Sequence, residues 1–119
     1  MTPSFIESDR GIAILGTPGG SKIITMVLLS ILNWINGGTA DDMTSVKRFH
    51  HQYLPDVIQH EKEAFSSSDI NKLRSIGHTL KEVGDYGNMQ VITIDKDSGK
   101  VETSSDPRAL IEDSGIDYY

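Results

Sequence analysis

The stretch IAILGTPGGSKIITMVLLSILNWI, residues 12–35, decides how this chain folds. It opens on the β-prone run Ile12 to Leu15 and breaks at Gly16-Thr17-Pro18-Gly19-Gly20-Ser21, where proline and glycine interrupt regular structure. A helix is predicted from about Ser21 to Asn36. Ile23, Ile24, Val27, Leu28, Ile31, Leu32 and Ile35 recur at helical period, and Gly37-Gly38 stop it. Met26, Leu29 and Trp34 fall on its other side, so the spacing predicts a helix apolar nearly all round and covered on both faces inside a layered protein. Its apolar core, residues 23–35, would span only about 20 Å against the ~30 Å of a bilayer interior. It is a buried helix, not a membrane span.

Outward from this stretch, Phe5 to Ser8 precedes Ile12 to Leu15 across Asp9-Arg10-Gly11, a hairpin signature. Downstream, Thr39 with Asp42 three places on makes a capping-box-like start for a second helix, expected to reach about Phe49. Val57-Ile58 suggests a short strand. Ser67 or Ser68 caps a third helix with the stripe Ile70, Leu73, Ile76, ended by Gly77. Residues 79–83, 89–94 and 101–104 read as strands, the last two joined by a turn at 95–99, and the polar tail from Pro107 reads as coil. This order predicts an α+β fold with helices on a mostly antiparallel sheet, in a single domain over residues 1–119.

Composition narrows the function. Eleven Lys+Arg against 17 Asp+Glu give a net charge of -6, which opposes a phosphate-binding surface, so no nucleic-acid partner is expected. Mean hydropathy is -0.28, unlike a multi-span membrane protein. Cysteine is absent, which removes disulfides, thiolate metal sites and cysteine nucleophiles together. Residues 1–5 have no basic segment followed by an apolar one, so no signal peptide is read there.

The chemistry-bearing candidate is the strand–glycine loop–helix. Gly19 and Gly20 ahead of an apolar helix let backbone approach a ligand, and the helix dipole favours an anion or a developing oxyanion there. The plainer reading is a tight turn, and pattern alone leaves both open. A phosphate-binding P-loop fails, because it needs Gly where Ser21 stands and Ser or Thr where Ile23 stands. His50-His51 are adjacent and point about 100° apart on a helix, unlike zinc ligands, and His60 and His78 share no ligand spacing with them. Asp95 to Gly99 has its glycine one place early for a calcium loop and no closing Glu, and reads as a turn. No cofactor and no metal is expected. One oxyanion loop is visible, without a nucleophile beside it.

Three ordered motifs then carry a resemblance. GTPGGSKIIT (16–25) resembles the glycine loop and following helix of gamma-glutamyltranspeptidases, usually G-S-P-G-G-S-R-I-I-T. RFHHQYLPD (48–56) is similar to that family's A-P-R-F-H-H-Q-W-L-P-D, and SSDPR (104–108) to its near-terminal A-S-D-P-R. Gly77-His78 fits its K-G-H before a strand. The match extends to about Arg108.

The resemblance implies an N-terminal-nucleophile hydrolase with an αββα arrangement. Its precursor cuts itself, and the new amino-terminal threonine of the small subunit attacks the gamma-glutamyl carbonyl of glutathione; water or an amino acid then takes the acyl group. It implies that Gly19 and Gly20 bind substrate and supply oxyanion-hole N–H groups, with Thr17 and Pro18 supporting the loop. Residues 1–4 align directly after the family's substrate-binding Ser-Ser pair (S-S-M-S-P-T), so the nucleophile is expected upstream. The chain reads as the C-terminal part of a small subunit, inactive alone. Its expected partners are the rest of that subunit, the large subunit and a gamma-glutamyl substrate, and the isolated segment is expected to self-associate. The departures Thr17, Lys22, Val46-Lys47 and Tyr53 leave the loop chemistry in place; Lys47 replaces a helix-ending proline and is expected to extend the second helix. Two other classes stay open: a related amidase of cephalosporin acylase or polyglutamate-processing type, and a non-catalytic interaction module. The family location would be periplasmic, secreted or cell-surface, and a cytoplasmic one is also compatible.

Overall fold

Side chains alternate along a strand, so Gly11–Gly16 must show one face to a core and the other away from it. The computed structural model describes residues 3–108. Its elements run β1 (Ser4–Ser8), β2 (Gly11–Gly16), α1 (Ile23–Ile35), α2 (Ala40–Ser45), β3 (Phe49–His50), β4 (Ile58–His60), α3 (Ser67–Ser75), β5 (Leu80–Glu82), β6 (Gln90–Asp95) and β7 (Val101–Ser105). A single 3-10 turn, Gly20–Lys22, leads into α1. The chain divides into two compact units, one from residues up to Val46 and from Tyr86 onward, the other Lys47–Asp85.

In the first unit the strands are ordered β1-β2-β6-β7, all antiparallel. Ala13 and Leu15 of β2 lie opposite Thr93 and Val91 of β6, and these four are buried. Met26 and Trp34 of α1, with Ala40 and Met43 of α2, close over them. The Ser30 hydroxyl donates to the Met43 carbonyl (2.8 Å) and ties the two helices together. The register puts Phe5, Ile14 and Ile92 on the other face of the sheet, where Phe5 is 63% exposed.

That layer order corrects one expectation. Helix α1 is not covered on both faces among the described residues. Met26, Ser30 and Trp34, four apart, face inward, while Ile24, Leu28, Leu32 and Ile35 stay exposed, Ile24 at 80%. One sheet layer can cover only one stripe of a helix.

Helix α2 is also shorter than predicted: it ends at Ser45, not near Phe49, and Lys47 does not extend it. The capping box at its start is present, with the Asp42 N–H donating to the Thr39 hydroxyl and the Thr39 N–H to the Asp42 carboxylate. Its far end is held by Arg108, whose guanidinium donates to the Thr44 and Val46 carbonyls (2.9 Å each). A cation there satisfies carbonyls that the helix leaves unpaired.

The second unit has β3 antiparallel and β5 parallel to β4, so its small sheet is mixed. Phe49, expected above at the end of the second helix, instead forms β3 with His50, opposite His60 and Gln59. The Arg48 N–H donates to the buried Glu61 carboxylate (2.8 Å). Helix α3 starts one or two residues earlier than expected, because Ser66, not Ser67 or Ser68, caps it, accepting from the Asp69 N–H. The coil expected from Pro107 falls mostly outside the described residues.

Candidate active-site loop

Strand β2 keeps its ladder with β6 as far as Gly16, opposite Gln90. Beyond it the chain must turn sharply to enter α1, and it does so through two glycines at positive φ: Gly19 at 151° and Gly20 at 59°. Only glycine takes such a pair without steric cost. The turn closes when the Lys22 N–H donates to the Gly19 carbonyl (3.1 Å).

The two glycines differ in what surrounds them. A Cβ on Gly19 would meet the Met26 methyl at 2.4 Å, so the end of that buried side chain would have to shift. A Cβ on Gly20 would meet nothing within 4 Å. Gly20 therefore faces open space, at the entrance to α1, on a positive φ that a side chain would strain. The Gly20 and Ser21 N–H groups make no hydrogen bond among the described residues. No acidic residue stands in the first turn of α1 to offset its dipole. Two unpaired donors at the positive end of a helix suit an incoming oxygen that carries charge.

Thr17 and Pro18, expected to support the loop, have unlike roles. Pro18 is exposed. Thr17 is fully buried; its hydroxyl donates to the Pro18 carbonyl and accepts from the Asn88 N–H, both at 2.9 Å. The next N–H, of Met89, donates to the buried Asp106 carboxylate (2.9 Å), which pairs with Arg108. The Lys22 ammonium lies 4.2 Å from the Tyr86 ring centroid, beside the loop. Asn88 and Tyr86 had no signal in the sequence: Asn88 acts through its backbone, and Tyr86 through a contact made only on folding.

The histidines are held by local partners. His50 bonds the Gln52 side chain (2.8 Å), His51 the Asp56 carboxylate (2.7 Å) and His60 the Glu61 carbonyl (3.0 Å). No group of three or more potential metal ligands forms among the described residues. Asp95 accepts from the Asp97 and Ser98 N–H groups, the turn expected from the sequence. Those bonds, Ser98 first, hold its carboxyl below the usual range.

Beside the loop, on the open face of the sheet, a cleft of about 410 Å³ is lined by Ile14, Gly16, Gln90, Ile92, Thr103 and Ser105, among others. No helix is long and apolar enough to cross a membrane among the described residues.

Known proteins share this arrangement. The family described as gamma-glutamyltranspeptidase matches residues 1–115. The glutathione hydrolase proenzyme of Escherichia coli (strain K12) is 36% identical over 112 residues, covering 92% of this chain and 19% of that protein. The Pseudomonas aeruginosa glutathione hydrolase proenzyme is 36% identical over 115 residues, 91% of this chain and 20% of that protein. The chain thus spans about a fifth of the length of these curated relatives. A mutant of Helicobacter pylori gamma-glutamyltranspeptidase superposes with a TM-score of 0.83 at 31% identity, over 91% of this chain and 60% of that one. These neighbours are N-terminal-nucleophile hydrolases, and the α+β arrangement here is part of that fold. By a match that runs nearly end to end and a glycine loop set on the same scaffold, this chain belongs to the gamma-glutamyltranspeptidase family.

Proposed function

We propose that this chain is the C-terminal part of the small subunit of an enzyme that cleaves the gamma-glutamyl bond of glutathione and related compounds, and passes the acyl group to water or to an amino acid or peptide. The observation that carries this reading is Gly20: positive φ, open space where a side chain would stand, and an unpaired N–H at the start of α1.

In this reading the rest of the small subunit supplies an amino-terminal threonine. Its hydroxyl oxygen bonds to the gamma-glutamyl carbonyl carbon while its own α-amine takes the proton. The carbonyl oxygen becomes an oxyanion, and N–H groups of the Gly19–Gly20 segment donate to it. When the tetrahedral carbon collapses, the amide C–N bond breaks and the leaving amine takes the proton. Water or an acceptor amine then attacks the ester by the same steps and regenerates the threonine.

The test is Gly20→Ala in the whole enzyme, read on a gamma-glutamyl anilide. The expected result is a fall in kcat on the order of 10²-fold, because the new methyl stands in the open space from which the substrate oxygen reaches the N–H, an effect on the scale of losing one oxyanion donor. An unchanged kcat per folded molecule would reduce Gly20 to a turn residue.

A further inference from the structure

An N–H group stabilises a developing charge only if it already points at it; a group that must first turn loses most of its effect. The segment 17–19 has no strand partner to hold it, since the β2–β6 ladder ends at Gly16 and Gln90. We propose that Thr17 is a positioning residue for the acyl-transfer reaction, whose side-chain hydroxyl fixes the Pro18–Gly19 peptide plane and thereby aims the Gly19 N–H. This rests on the reading of Gly20 given above.

A hydroxyl has one proton to donate and lone pairs to accept, and Thr17 uses both kinds. It donates to the Pro18 carbonyl and accepts from the Asn88 N–H, each at 2.9 Å, from a fully buried position. The Pro18 carbonyl and the Gly19 N–H belong to one planar peptide, so holding the oxygen inward turns that N–H the opposite way. From this fixed plane the chain passes through Gly19 and Gly20, two residues with little conformational restraint of their own. Without the bond, rotation of the 18–19 peptide would cost the loop little.

The anchor behind the hydroxyl is firm. Asn88 is followed by Met89, whose N–H is held by Asp106, and both Met89 and Asp106 are fully buried. Arg108 holds Asp106 in turn at 3.1 Å. The SSDPR motif near the end of the chain is thus connected to the glycine loop through two hydrogen bonds, Met89 to Asp106 and Asn88 to Thr17, joined by the 88–89 peptide bond. Thr17 is fully buried with its hydroxyl engaged on both sides, so its effect must act through the loop.

The experiment compares Thr17→Val, Thr17→Ser and Gly20→Ala in the whole enzyme, with kcat and KM measured on a gamma-glutamyl anilide and melting temperature on the same samples. Valine keeps the shape of threonine and removes the hydroxyl; serine keeps the hydroxyl. Thr17→Val is expected to lower kcat on the order of 10²-fold with KM within about twofold, the pattern for an interaction that matters in the transition state. Thr17→Ser is expected to restore kcat to within about threefold of the parent. A folded Thr17→Val enzyme with unchanged kcat overturns the proposal, as does a loss confined to KM or a serine variant as slow as valine. Should valine at this site prevent folding, Thr17→Ala carries the same expectation and the same refutation. If Gly20→Ala lowers kcat and Thr17→Val does not, only the role of Thr17 fails. If Gly20→Ala leaves kcat unchanged, the oxyanion reading beneath it fails, and the proposal with it.

Discussion

Arg108 donates from Nη1 to the carbonyl oxygen of Thr44, 64 residues earlier in the chain, at 2.9 Å. With the bond from Nη2 to Val46, this closes the C-terminal end of a six-residue helix too short to be stable by itself. The same guanidinium pairs with Asp106, and the two side chains are 8% and 0% exposed.

Arg108→Met is therefore expected to destabilise the fold by about 3–5 kcal/mol, the scale for removing one member of a buried ion pair. Chemical denaturation of variant and parent measures it. A difference under about 1 kcal/mol would mean that solvent satisfies Asp106 and the α2 carbonyls equally well.

The two loop glycines should separate in a stability measurement. Gly20→Ala has free space, so it should cost only about 1 kcal/mol for the positive φ. Gly19→Ala sets its new methyl against the Met26 methyl at 2.4 Å on a φ of 151°, and should lower the melting temperature clearly more. Equal shifts for the two would remove the distinction drawn between them.

Acid should weaken the start of α2. The Thr39 N–H bond, and then the Thr39 side chain, hold the Asp42 carboxyl below its ordinary value of 3.8. A carboxyl depressed on folding stabilises the native state above its unfolded pKa, and that contribution is lost as pH falls through the lower folded value. Unfolding midpoints measured from neutral pH to about pH 2 should show parent and Asp42→Asn converging at the acid end. A gap independent of pH would show that only the neutral hydrogen bond matters.

A polypeptide of these 119 residues is expected to self-associate in isolation. Phe5 and Val101 on the sheet, and Ile24 and Leu28 on α1, leave apolar surface exposed on opposite sides of one unit. Sedimentation equilibrium at tens of micromolar, near the range of weak association, should give more than 13.1 kDa. Replacing Phe5 and Val101 by serine and threonine should shift it toward monomer if the sheet face mediates contact.

Much was legible in the chain because its signals are local. The hairpin at Asp9-Arg10-Gly11, the glycine break before α1, the Thr39–Asp42 box and the turn at Asp95 each depend on residues within a few places of one another. Helical and strand periods did the rest, and the three motifs pointed to the family. What only the tertiary structure decided lies across long separations. Phe49-His50 became a strand because β4 offered a partner, and a partner's position has no trace in local spacing. The outer stripe of α1 is as apolar as the inner one, so periodicity could not say which would be covered. The support of the glycine loop was hidden most completely: Thr17 is held by the backbone N–H of Asn88, 71 residues away, and a backbone donor is the same whatever side chain stands there.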